Sequence, residues 1–380
     1  MRISYLTGRK DNSDMGGTIV IMKLQTRYIP FLFMAILALL FALWAGLIRL
    51  GWQLPALTPS LALAHGPLMI SGFLGTLITL ERAVATQKKW MYLPPLLSGL
   101  GWLVTVLMPS PPLGPILLTI ASLGGVAILI VMTRRELALH TVTMLLGMLA
   151  WFTGNVLWLF GWQIYQVVFF WQAFLVLTIA GERLELSRVL RPSRNQQIAF
   201  GMIAVIFVAS IIVSTFNLQV GTRLNGAALL LLALWSIRSD IAWRNLKHKL
   251  PLTRYIARCL ALGFVWLGIG GGLSLVFGAQ VAGPRYDAAL HVVFVGFVIS
   301  MIFGHAPIIF PAILGVPINF QPAFYIHLIL LHVSLALRVI ADYANLHALR
   351  MWGGLLNEVA ILLFIGMTLY SVRKSLTAKA

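Results

Sequence analysis

Residues 29–50 read IPFLFMAILALLFALWAGLIRL, a run in which Arg49 is the only charged side chain. A helix needs roughly 20 apolar residues to cross the hydrocarbon core of a bilayer, and this run has that length. Eleven further stretches of similar character follow, separated by charged residues, prolines and short loops. The sequence therefore predicts an all-α fold, a polytopic membrane bundle of about twelve transmembrane helices.

The predicted domain organisation is a single membrane domain between two short tails. Residues 1–28 are expected to be a disordered basic cytoplasmic tail, 29–372 the twelve-helix transmembrane domain, and 373–380 a second cytoplasmic tail. Either Met1 or Met22 could be the start. The predicted span cores lie at 29–50, 61–82, 92–108, 115–133, 138–160, 163–182, 197–216, 221–237, 255–278, 286–312, 320–341 and 349–371.

Composition and charge support this class and exclude others. The chain is 60% hydrophobic and 10% charged, too apolar for a soluble domain. Its net charge of +18 could suggest nucleic acid, but the basic residues lie in short loops with no continuous basic face, so no nucleic-acid partner is expected. The one cysteine, Cys259, excludes an internal disulfide framework, a c-type haem attachment motif and an iron–sulfur cluster.

The distribution of Lys and Arg predicts the orientation. With both termini in the cytoplasm, 23 of the 28 basic residues fall on the cytoplasmic side, as the positive-inside rule requires. The bilayer is thus an expected partner, and the protein a multi-pass one. The five basic residues on the outer side are Arg49, Arg223, Arg285, Arg338 and Arg350.

Two histidines occupy matching depths in this topology. His65 lies early in the second span and His291 early in the tenth, and even-numbered spans run in the same direction. Two imidazoles at one level on parallel helices are what a bis-histidine b-type haem requires. Asp287 could hold the second ring nitrogen of His291. Gly72 and Gly75 would leave room for a flat macrocycle, although such small residues also serve helix packing.

Other polar groups in the apolar runs suggest a second site or a proton route. His305 lies about 21 Å beyond His291 along the tenth span, and one of His327 and His332 on the eleventh span could join it as a metal ligand. Arg338 could bind a haem propionate, or could instead pair with Asp342. Glu358, well inside the twelfth span, marks a proton or substrate path.

Two stretches carry a resemblance to a known family: HGPLMISGFLGTLITLER (65–82) and HVVFVGFVISMIFGHAPIIFPAILG (291–315), the latter followed by a histidine-bearing helix. The chain resembles the NnrS family, haem- and copper-containing membrane proteins associated with nitric oxide metabolism and nitrosative stress. It is also distantly similar to subunit I of the haem–copper oxidases. The resemblance implies haem b and copper as cofactors, and it matches His65, His291 and His305 to the family's histidines.

The oxidase pattern is incomplete in this chain. The adjacent histidines, the histidine–tyrosine pair spaced by four and the H-x-H motif on the tenth span do not occur. Oxygen reduction at a full binuclear centre is therefore not expected.

The preferred hypothesis is a bacterial inner-membrane haem protein that handles nitric oxide or another small redox ligand, or passes electrons. The redox partner, and whether the protein is an enzyme, are left open. One alternative is a proton-coupled transporter or permease, although the sequence shows no convincing pair of broken helices. A third is an assembly factor for a respiratory complex.

Overall fold

The computed structural model describes residues 25–108, 110 and 112–377. Twelve helices in this part of the chain are long and apolar enough to cross a membrane. The predicted all-α polytopic bundle is confirmed. In chain order, α1 to α12 are Thr26–Leu50, Leu61–Thr86, Lys89–Leu107, Leu113–Arg135, Leu139–Leu159, Ile164–Leu190, Arg194–Phe216, Leu218–Ser239, Pro251–Phe277, Pro284–Leu314, Phe324–Ala344 and His347–Thr377.

Consecutive helices pack closely because glycines lie at their interfaces. A Cβ atom on Gly147 of α5 would come within 3.0 Å of the Phe174 carbonyl oxygen on α6. A Cβ atom on Gly226 of α8 would come within 2.7 Å of the Gly271 carbonyl oxygen on α9. Lipid provides no hydrophobic drive for helices to associate, so this backbone approach supplies much of the packing energy.

Helices α2 and α10 each contain a π-helical segment. The segments are Leu68–Gly75 in α2 and Val292–Ile299 in α10. In α2 the wider turn begins directly after Pro67, which has no N–H to continue the α-helical ladder. Segments of this kind are rare and frequently lie at functional sites.

The two π segments share further details. In α2 the hydroxyl of Thr76 donates to the Gly72 carbonyl, 2.7 Å away; in α10 that of Ser300 donates to the Gly296 carbonyl, 2.6 Å away. Each glycine also lies against a tryptophan of a neighbouring helix, Trp102 of α3 for α2 and Trp266 of α9 for α10. The two helices thus have matching irregularities at matching depths, which sequence patterns did not reveal.

Both predicted tails overlap helices, the N-terminal tail at residues 26–28 and the C-terminal tail at residues 373–377. Residues Thr26–Tyr28 form a 3₁₀ turn that leads into α1, and Tyr28 is buried, with its hydroxyl 3.0 Å from that of Tyr92. At the other end α12 continues to Thr377, beyond the predicted boundary at 372. The rest of the predicted tails, 1–24 and 378–380, lies outside the described residues.

The site described below lies where α1, α2, α10, α11 and α12 meet. Helix α1 packs against both α2 and α12, and α11 packs against α10 and α12. The term "outer" is used here for the side on which α2 and α10 begin, following the orientation predicted from charge.

Candidate functional site

His65 and His291 lie side by side in the outer half of the bundle. Their ring centroids are 6.2 Å apart and their planes are inclined by 30°. His65 is in the second turn of α2, and His291 ends the first α-helical part of α10, directly before its π segment. The structure thus brings together the two histidines that the sequence places at a similar depth.

The Nδ1 atom of each imidazole is fixed by a backbone carbonyl. In His65 it is 2.7 Å from the Ala42 oxygen on α1, and in His291 it is 2.8 Å from the Asp287 oxygen. A carbonyl only accepts, so each Nδ1 carries a proton, and in the neutral form of each ring Nε2 is then the bare nitrogen. This is the tautomer of a metal-binding histidine, with the other nitrogen held by an acceptor.

The spacing of the rings suits one metal atom between them. Metal–nitrogen bonds of about 2 Å on opposite sides of a metal would separate two imidazole centroids by roughly 6 Å. Neither Nε2 has a hydrogen-bond partner among the described residues. The centroid separation therefore matches the one that two histidines on a single iron require.

A cluster of charges supports His291 from its outer side. The Asp287 carboxylate lies 3.3 Å from His291 Nδ1 and accepts two hydrogen bonds from Arg338, each of 2.8 Å. Arg350 is 3.8 Å from Asp287. It is 2.9 Å from Asp342, an ion pair by distance without hydrogen-bond alignment.

The expected Arg338–Asp342 pair is therefore wrong. Asp342 is one turn along α11 from Arg338, but Asp287 lies across the interface with α10 and offers both carboxylate oxygens to the guanidinium. A bidentate pair of this kind is favoured over a single contact along one helix. Arg338 is thus bonded to Asp287. Its predicted contact with a haem propionate stays a prediction.

Glu358 of α12 reaches the same place as His65. A Cβ atom on Gly46 of α1 would come within 3.1 Å of His65 Cε1 and 3.2 Å of Glu358 Oε1. The carboxyl is half-buried and makes no hydrogen bond with the described residues. The predicted polar position of α12 thus adjoins the histidine pair, and Gly46 provides the space for both side chains.

The expected small-residue face does not hold a macrocycle. Gly72 lies against Trp102, whose Cβ would be 2.9 Å from a Cβ on the glycine, and Gly75 lies against Trp151. Both glycines serve helix packing, the alternative interpretation of the sequence. Both glycines lie in the π segment that follows His65, so regular α-helical spacing does not predict which residues share the face of His65.

The structure does not bring His305 together with His327 or His332. No hydrogen bond or ring contact in the described part of the chain joins two of these three. His327 is bonded through Nε2 to the Tyr255 hydroxyl at 2.8 Å, and its Nδ1 lies 3.3 Å from the Met367 sulfur. His332 accepts a 2.9 Å hydrogen bond from the Trp266 indole at Nδ1, so its Nε2 carries the proton.

The geometry therefore gives no support to a second metal site. Among residues 25–108, 110 and 112–377, no three His, Cys, Asp or Glu side chains come together as a possible ligand set. His305 has no second ligand side chain beside it in any such set, and copper stays a prediction from the resemblance alone.

A comparison with known proteins identifies the family. A family model described as a domain of unknown function (DUF8744) matches residues 27–373. The chain belongs to this family. No curated protein and no solved structure matches it. The match covers all twelve helices or nearly all of each, so it includes both histidines and Glu358.

Sequence reasoning missed the contribution of α1. Ala42 supplies the carbonyl that orients His65, and Gly46, one turn later, leaves room for the ring and for Glu358. The available pattern was the row of small residues Ala35, Ala38, Ala42 and Gly46 along the first span. Such a row predicts close approach of another helix, but it does not show that the other helix carries a histidine.

Proposed function

We propose that this protein holds a b-type haem between His65 and His291, in the outer half of the membrane. The observation that carries the proposal is the pair of imidazoles with ring centroids 6.2 Å apart, each with Nδ1 bonded to a backbone carbonyl. A haem held by two histidines would supply one-electron redox chemistry.

The side chains around this pair have separate tasks. The carbonyls of Ala42 and Asp287 keep both Nε2 atoms bare, and the Asp287–Arg338 pair fixes the start of α10 relative to α11. Glu358 places a carboxyl beside His65, where it can hold or release a proton. Electron transfer or the handling of nitric oxide is the proposed activity, the latter on the resemblance to the NnrS family. The proposed location is a bacterial inner membrane.

The direct test is the absorption spectrum of the protein purified in detergent from cells that make haem. We expect a reduced-minus-oxidised difference spectrum with a b-type α band and about one haem per chain by pyridine haemochrome, since two histidines hold one iron. A colourless protein obtained under these conditions would contradict the proposal.

Gly46 provides a second test. We expect Gly46→Leu to lower the haem content by at least half, because the new side chain would occupy the space that His65 and Glu358 share. Gly366→Leu is the matched control: it lies on the same helix as Glu358, and a Cβ there meets nothing within 4 Å. Haem per chain, compared at equal yield of folded protein, decides the outcome. Equal haem content in both variants would show that Gly46 does not border the cofactor.

A proton-coupled transporter is the second candidate, and one observation favours it. The π segments of α2 and α10 are a pair of helix irregularities at matching depths of two helices that contact each other, and transporters commonly have paired broken helices around their substrate site. In this candidate Glu358, His65 and His291 line the path of the transported species. It becomes the better explanation if the purified protein binds no haem.

A further inference from the structure

Two arginines of α9 lie close together without an acidic partner. Arg258 is exposed, and Arg254, four residues earlier on the same helix face, is half-buried. Neither forms an ion pair with a carboxylate of residues 25–108, 110 and 112–377. Like charges four residues apart destabilise a helix, so an anion from outside the described chain would stabilise this end of α9.

Arg258 lies near the depth of the lipid headgroups. Helix α9 has 27 residues and is therefore about 40 Å long, whereas the hydrocarbon core of a bilayer is about 30 Å thick. The helix thus extends beyond the core at its ends. Arg258 is about 10 Å from the start of the helix, which is on the inner side of the membrane, opposite to the outer one. Its guanidinium can reach the headgroups while its stem stays among acyl chains.

The face of α9 that carries Arg258 continues as an apolar stripe. Leu262, Val265 and Ile269 follow it at spacings of four, three and four residues, so the four side chains share one side of the helix. The three apolar side chains are exposed on the surface of the bundle. On a helix that crosses the membrane, an exposed apolar stripe faces lipid. A cation at the inner end of such a stripe matches a phospholipid, in which acyl chains follow the phosphate.

An aromatic ring from α11 orients the Arg258 guanidinium. The Cζ atom of Arg258 lies 5.2 Å from the centroid of the Tyr325 ring, within the range of a cation–π contact. Tyr325 is at the inner start of α11 and packs edge-to-face on Tyr255 of α9, with ring centroids 5.5 Å apart. Stacking uses the flat face of a guanidinium and leaves the N–H donors along its edge available. Arg254 is oriented by a 3.4 Å hydrogen bond to the His248 carbonyl oxygen.

We propose that Arg254 and Arg258 bind the phosphate of an anionic phospholipid in the inner leaflet, where α9 meets α11. The Arg258 guanidinium donates hydrogen bonds to the phosphate oxygens, as this planar group commonly does, and Arg254 adds a second positive charge. An acyl chain lies along Leu262, Val265 and Ile269. The lipid supplies the negative charge that the described residues do not provide here. The site is separate from the histidine pair and does not depend on bound haem.

The surroundings favour a lipid over other anions. Six basic residues and one acidic residue lie within 238–258, and the acidic one, Asp240, is bonded to Arg183. This region therefore attracts anions in general. A free phosphate or an acidic protein segment, however, would have to leave water to reach a guanidinium at the edge of the hydrocarbon core. The phosphate of a lipid is already at that depth, and basic residues at a membrane surface attract anionic headgroups.

Native mass spectrometry of the full-length protein tests the site. The protein in detergent receives phosphatidylglycerol, or phosphatidylcholine with the same acyl chains, at equal concentration. We expect the native protein to retain phosphatidylglycerol in preference, and Arg254→Gln/Arg258→Gln to bind it with at least about tenfold lower affinity. Glycerol 3-phosphate, which has the phosphate without acyl chains, should not displace the lipid. Equal retention of the two lipids by the native protein, or displacement by glycerol 3-phosphate, would overturn the proposal.

Arg134→Gln/Arg135→Gln is the matched control. It removes the same charge from the inner end of α4, where both side chains are exposed. Adjacent residues point in different directions around a helix, and neither arginine stacks on an aromatic ring of the described residues. This variant should keep the affinity of the native protein for phosphatidylglycerol. An equal loss of affinity in both double variants would assign the effect to total charge and contradict a defined site.

Arg258→Lys decides the outcome if the double variant at the site does not fold. It keeps the positive charge but loses the planar group that stacks on Tyr325 and offers paired donors to a phosphate. We expect it to bind phosphatidylglycerol more weakly than the native protein does. An unchanged affinity would show that the Arg258 guanidinium does not bind the phosphate.

Discussion

His65→Ala and His291→Ala are each expected to lose most of the b-type absorption that we propose for the native protein. Each variant removes one of the two imidazoles whose centroids lie 6.2 Å apart, while the carbonyl partners remain in place. A haem with only one protein ligand is held less tightly and changes its spectrum, because the α band reports the ligands on both faces. Haem per chain and the reduced spectrum measure the effect.

His248→Ala is the control for this pair of variants. Its ring is in the loop before α9, where Nδ1 accepts a hydrogen bond from the Leu250 amide, far from the site in sequence and on the cytoplasmic side. It should keep the full haem content. Added imidazole should partly restore the spectrum of His65→Ala, because a small ligand can enter the space left by the side chain. Full haem content in either site variant would show that the histidine pair is structural.

The sequence was sufficient to predict the helices and the similar depth of the two histidines. The apolar length of each span is set by the thickness of the bilayer, and the number of spans sets the direction of each helix. His65 and His291 begin parallel helices, so their depth could be read from residue position alone. Depth was sufficient here because α2 and α10 contact each other and are among the most buried of the twelve described helices.

The direction of side chains around the helix axis could not be predicted in the same way. Regular spacing places Gly72 and Gly75 near the face of His65. The π segment that begins directly after Pro67 changes the angle between successive side chains around the axis of α2. Tryptophans from other helices fill the space in front of both glycines. Nothing in the local sequence of α2 specifies which side chains arrive from α3 and α5.

Polar partners were equally hard to predict when they came from distant helices. His305 and His327 have similar predicted depths, yet His327 is bonded to Tyr255 on α9, and His305 is bonded to the Met301 carbonyl of its own helix. Arg338 likewise prefers Asp287, 51 positions away in the sequence, to Asp342 on its own helix. Depth limits the possible partners in a bundle, while the arrangement of the helices selects among them.

Asp240→Ala is expected to destabilise the protein by about 3–5 kcal/mol. Asp240 and Arg183 are buried, with exposed fractions of 4% and 6%, and they share two hydrogen bonds, of 2.8 and 2.7 Å. Asp240 also accepts a hydrogen bond from the Ala242 amide after α8. Removing the carboxylate leaves a guanidinium in a site without solvent, which is far more unfavourable than losing one surface contact. Thermal unfolding in detergent, followed by tryptophan fluorescence, measures the change.

The double variant Arg183→Met/Asp240→Ala distinguishes the effect of an unpaired buried charge from the effect of lost packing at the two positions. If the uncompensated charge causes the loss, removing Arg183 as well should recover part of the stability, because no buried charge remains. Glu136→Ala is the control for an ion pair in solvent. The side chains of Glu136 and its partner Arg188 are both about half exposed. Loss of this ion pair should therefore change the free energy of unfolding by less than about 1 kcal/mol. Equal losses in Asp240→Ala and Glu136→Ala would show that burial gives the Arg183–Asp240 pair no special role. A larger loss in the double variant than in Asp240→Ala would instead assign the effect to packing around Arg183.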